Sequence, residues 1–223
     1  MHPRILAALV LILCNAAATA AEPDGMDFSL HLSHSDLRLH YDDLAHDTSL
    51  ERVGIVVFET SDPHLQYGFL AGSSHLTLEG DPLLAGISLD GYHAGLALRG
   101  GVGHDLRLDV QAQYLYQDVQ DASATRKVIV TWHEWRAEML AGLRLGSSPL
   151  TVVAGLAYVN LDAQQRISGD GARTRNLHEE TGTEKRLGLE LTVDGHAQNK
   201  GRVGLHIQRG VFDTVSLIFA RSF

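Results

Sequence analysis

A period of two, kept through most of the chain, constrains this sequence more than any motif in it. The stretch "HDLRLDVQAQYLYQD" sets Leu106, Leu108, Val110, Ala112, Tyr114 and Tyr116 on one face and Arg107, Asp109, Gln111, Gln113 and Gln117 on the other. Side chains that alternate in this way belong to strands whose two faces meet different surroundings. "EKRLGLELTVD" repeats the pattern, with Leu187, Leu189, Leu191 and Val193 opposite Arg186, Glu190, Thr192 and Asp194. "GRVGLHIQ" does so with Val203, Leu205 and Ile207 opposite Arg202, His206 and Gln208. Helical spacing never dominates, so the chain reads as all-β.

Gly, Pro and polar clusters place strands near 26–41, 51–60, 65–78, 83–100, 104–118, 127–146, 149–167, 184–194, 201–209 and 213–223. That makes ten, with eight as the alternative, since the alternation slips near Ser73 and Gly91. Short connectors at 61–64, 101–105 and 146–149 interleave with longer polar ones at 43–51, 117–127 and 168–184. Outer-membrane barrels have this asymmetry, with short periplasmic turns and longer external loops.

Residues 1–21 read as a cleaved secretory signal: a weakly basic start at His2 and Arg4, the apolar run from Ile5 to Leu13, and small residues at "AATAA". Residues 22–223 then form one barrel domain. The single cysteine, Cys14, falls inside the signal, so the mature chain uses neither disulfides nor thiol chemistry. The formal net charge of -9 provides no basic face for nucleic acid.

Alternation fits equally a soluble barrel with an oily interior and a membrane barrel with an oily exterior. The export signal, the scarcity of Pro and the carboxyl end favour the second. The chain finishes "TVSLIFARSF", with Val215, Leu217, Phe219 and Phe223 at every second position. This resembles the carboxyl-terminal signature of small bacterial outer-membrane β-barrels, read by the barrel-assembly machinery; Arg221 departs from it, where the family usually has an aromatic or apolar residue. "SHSDLRLHYDD" followed by a Val-rich strand also resembles the opening of YfaZ-type barrels. The resemblance implies an antiparallel up-and-down transmembrane β-barrel in the outer membrane of a Gram-negative cell, in contact with outer-membrane lipid. Tyr114, Tyr116, Trp132 and Trp135 would then flank the 117–127 loop as an external aromatic girdle.

With the apolar face outward, the polar face lines the lumen. Its candidates are Arg99, Arg107, Asp109, Glu134, Arg136, Glu138, Arg144, Arg186, Glu190, Arg202 and His206. Mixed signs permit pairing across strands, and a barrel so filled is either a salt-bridged plug or a small polar channel. Among the 13 histidines, His34 and His40 share a face of the first strand and His31 lies on the other, with no C-x-x-C or H-E-x-x-H beside them, so no metal or cofactor is expected. Ser74 with His75, and His34 with Ser35, are adjacent and point to opposite faces, so neither pair forms a dyad within itself. The expectation is a non-enzymatic barrel: a narrow passive channel for small polar solutes, or a structural or surface-interaction protein acting through the 168–184 loop with Arg173, Arg175, Glu179 and Glu180. An enzyme acting on envelope lipid ranks third.

Overall fold

A computed structural model describes residues 25–41, 44–59, 65–79, 87–103, 106–122, 126–169, 172–176, 180–194 and 200–222. Residues 1–21, expected as a secretory signal, and Phe223 lie outside the described residues. The strands are β1 (Met26–Tyr41), β2 (Leu44–Glu59), β3 (Gln66–Leu78), β4 (Ile87–Val102), β5 (Leu106–Ala122), β6 (Arg126–Arg144), β7 (Leu150–Gly169), β8 (Arg173–Asn176), β9 (Glu180–Asp194), β10 (Lys200–Arg209) and β11 (Phe212–Ser222).

Ten of them close an antiparallel ring. Each pairs with its chain neighbours, except that β7 passes to β9. The seam is the pairing of β1 with β11, from Asp27 opposite Ser222 to Leu37 opposite Phe212. Closure removes every open strand edge, which a chain crossing lipid requires. β8 is a four-residue strand on the far end of β7, Gln164 to Ile167, on the same edge that β9 uses over Leu150 to Leu161, so it continues the ring beyond β9.

Three of the expected loops differ in the structure, and one of them, 168–184, holds the end of β7, the whole of β8 and the start of β9. The segment expected as a loop at 43–51 is strand almost throughout, because Tyr41 pairs with Leu44 and the register runs unbroken to Glu59. The loop expected at 117–127 is likewise mostly strand, with β5 reaching Ala122 opposite Lys127. Both segments are polar on the outward face, so they lack the oily alternation by which strands were recognised. They are strands because their inward residues are apolar: Leu37, Leu39 and Leu50 on one side, Val119, Val128 and Val130 on the other, all buried.

The slip near Ser73 and Gly91 has the same origin. Pairing of β3 with β4 continues without a break from Gln66–Arg99 to Leu78–Ile87, through Ser73–Tyr92 and Ser74–Gly91. Only the polarity of the two faces changes. Below that level Tyr67, Phe69, Leu96 and Leu98 point outward; above it Leu76, Leu78 and Leu89 point inward and are buried.

The ring therefore has two zones. At the end where β1 begins and β11 finishes, the outside is an apolar belt that includes Val110, Met139, Leu156, Leu189, Ile207 and Val215, all exposed. At the other end the strands leave the belt, and the interior becomes an apolar core of Leu37, Leu39, Leu50, Leu76, Trp132, Val159 and Phe212, among others. Strand extension past the belt occurs at that second end, which makes it the extracellular one.

Candidate functional site

The interior below the apolar core is a polar cavity of about 570 Å³. Ten of the eleven charged residues expected in the lumen line it; the exception, Arg144, sits on the inward face of β6 at the rim and donates from Nε to the carbonyl of Ser148 in the β6–β7 turn. Gly146 permits that turn, since its φ of 59° lies where a side chain would be strained.

Ion pairs cross this space as well as run along its wall. Arg52 on β2 reaches over to Glu134 on β6 at 2.9 Å and donates from Nε to Gln117 on β5, also at 2.9 Å. Its guanidinium lies 5.5 Å from the centre of the Trp132 ring. Arg136 continues the chain, 3.4 Å from Glu134 and 2.7 Å from Glu184. Glu184 in turn accepts from the backbone N–H of Phe212 at 3.1 Å, which ties the first residue of β11 to β9. Both glutamates are almost fully buried, so each depends on these cations: a carboxylate taken out of water costs several kcal/mol unless it is paired.

Nearer the periplasmic mouth, Arg107 on β5 bridges Asp109 at 2.5 Å and Glu190 on β9 at 3.1 Å. Glu190 also holds Arg202 at 3.2 Å and lies 3.2 Å from His206. Arg186 pairs with Glu138 and donates to Nδ1 of His206. Arg99 joins Asp27 on β1, stacks 4.0 Å over the Phe58 ring and donates to Gln66 at 2.6 Å. Each positive group on this wall has a negative neighbour, and several bonds join strands that are not adjacent, so the network acts as crossbars.

Several members were not singled out in the sequence. Arg52, Asp27 and Glu184 share the face of their strand with recognised lumen residues or small polar ones, and that parity is the signal that could have found them. Glu184 was placed at the edge of a loop. His93 was also missed; it is buried, bonds Ser74 Oγ at 2.9 Å, and packs so closely over Gly54 that a Cβ there would meet it at 2.7 Å. His31 points inward to Ser29 at 2.9 Å, whereas His34 faces outward between Asp36 and Glu51.

On β11, Val215 and Phe219 are exposed on the outer face, and Leu217 and Arg221 share their parity. Of the expected girdle, Tyr114, Tyr116 and Trp135 are on the outer face, while Trp132 is not: its parity turns it inward, and it is fully buried. Arg173 and Arg175 are half-buried on β8.

No family model matches the chain, and no curated protein matches it. Among solved structures it is similar to the β domain of the Bordetella autotransporter BrkA, at 13% identity and a TM-score of 0.53, covering 90% of this chain and 99% of that one. It is similar also to the translocator domain of autotransporter NalP from Neisseria meningitidis, at 10% identity and a TM-score of 0.50, covering 100% and 95%. At such identities the likeness is one of fold. Together with the lipid-facing belt, it decides the architecture and where it resides. The protein is an outer-membrane β-barrel. The barrel of OprG from Pseudomonas aeruginosa also matches, at 13% identity, a TM-score of 0.46, and coverage of 91% and 98%.

Proposed function

We propose that this outer-membrane barrel is a closed, surface-presenting protein rather than a passive channel. The observation that supports this is the apolar core across its extracellular end. Trp132, Leu50, Leu76, Leu89 and Val159 come from five strands, and each has 0% of its surface exposed. An ion entering that layer would shed its hydration for a mainly apolar lining, in which the buried amides of Gln117 and Gln165 replace little of it, and an apolar constriction stops conduction by excluding water. The polar cavity beneath is accordingly served from the periplasmic side, with Arg-carboxylate crossbars across its width. The part left to meet other molecules is the extracellular wall, polar outside and braced by its own core.

The test is conductance of the refolded mature protein in a planar bilayer. Correctly inserted barrels that stay silent support the proposal. Steady, reproducible steps from the unaltered protein would overturn it and return the channel reading, with Arg136 and Arg52 as the residues that set selectivity.

A further inference from the structure

One outward-facing cluster serves neither the lumen nor the extracellular core. Where β5, β6 and β7 cross from the apolar belt to the polar wall, Tyr114, His133, Trp135, Asn160 and Asp162 border a shallow recess of about 390 Å³. Register brings them together: Tyr114 is opposite Trp135, which is opposite Asn160, and one step outward His133 is opposite Asp162. The Tyr114 and Trp135 rings lie 4.5 Å apart, tilted by 47°, and form the floor. Tyr114 Oη and His133 Nδ1 are 2.6 Å apart, which holds both side chains in place. Asn160 is steadied by its bond to Thr181 at 3.3 Å.

We propose that this recess binds the sugar headgroup of a glycolipid in the outer leaflet. Three features carry the assignment. First, the floor is aromatic, and the flat C–H faces of sugar rings stack on such surfaces, while the rim offers a carboxylate, an amide and an imidazole for hydroxyl groups. Second, none of the five bordering residues is Lys or Arg, so a phosphate would meet Asp162 without a cation to hold it. Third, the recess faces outward, one outward step above Ala137 and Tyr158 and two above Met139 and Leu156 of the lipid-facing belt, the last two about half exposed. A ligand held there keeps its chains in the bilayer, which selects a membrane-anchored sugar over a soluble one.

The chain has two tryptophans, of which Trp132 is fully buried and Trp135 is 59% exposed, so Trp135 dominates any ligand-induced change in emission. The mature barrel in phosphatidylcholine nanodiscs would be titrated with a neutral glycolipid, a diglucosyl diacylglycerol, and separately with phosphatidylglycerol, which is anionic and lacks a sugar ring. The expected result is a saturable emission change with the glycolipid alone, weakened about tenfold in an Asn160→Ala, Asp162→Ala double variant that loses two hydrogen-bonding groups. Unchanged heat-modifiable gel mobility establishes that the variant still folds. Equal responses to both lipids would reduce the cluster to an ordinary aromatic girdle and overturn the proposal, as would an unweakened response in the variant. An equal response to the delipidated saccharide would overturn the lateral, membrane-anchored mode. The outcome is independent of whether the lumen conducts.

Discussion

The two ends of this barrel are built from the same ten ring strands with opposite polarity. In the membrane zone β5 turns Val110 outward to lipid and Gln111 and Gln113 inward to the cavity; farther along the same strand Asp118 and Gln120 face outward and Val119 is fully buried inside. The parity of the strand never changes. What changes is the solvent outside it, from hydrocarbon to water, and with it the residue type that each face tolerates. A membrane barrel and a small soluble barrel are thus joined end to end, and the apolar interior of the second starts where the belt of the first ends.

The strongest ways to break this comparison act on the two interiors. Trp132→Ala removes the largest side chain of the extracellular core, and a loss of about 3–5 kcal/mol is expected in urea unfolding of the protein in phospholipid vesicles. Arg136→Met leaves Glu184 buried without its cation and should cost a similar amount, about 3–5 kcal/mol, in the same assay. A loss under about 1 kcal/mol in the second case would mean that water reaches Glu184 and that the lumen is wider than the crossbars imply. The exteriors give smaller effects that sharpen the contrast. Val110→Arg, in the middle of the apolar belt of β5, should cost about 2–4 kcal/mol. Gln120→Arg on the same outward face beyond the belt, beside Asp90, should change stability by no more than about 0.5 kcal/mol. Equal costs at the two positions would show that the polarity switch does not mark the membrane boundary.

Much of this arrangement was legible in the residues. The runs around 106–116, 187–193 and 203–207 fix period two, and the ten-strand ring follows the strand count read from them. The charged residues on the opposite face of those runs are the ones that border the cavity. The misreadings share one cause. An oily face turned outward everywhere predicts loops at 43–51 and 117–127 and Trp132 in the girdle, whereas the structure has strands there and Trp132 inside. Apolar residues at Leu50, Val119 and Val130 carried the contrary signal, one position out of phase with the belt. β8 was not foreseen, since four residues with two arginines show no alternation of their own and pair only because β7 extends beside them.

By itself the sequence determined that these strands have two unlike faces and that one end of the chain carries the terminal pattern of a barrel, because alternation and composition are properties of neighbouring residues, while the choice between ten and eight strands waited on the ring. Only the tertiary structure decided which face is inside at each level, which charges meet across the lumen, and that Tyr114, His133, Trp135 and Asp162 share one recess. Those facts depend on the curvature and register that closure imposes. Residues such as Arg52 and Glu134, 82 positions apart in the chain, become partners only once β1 and β11 have met.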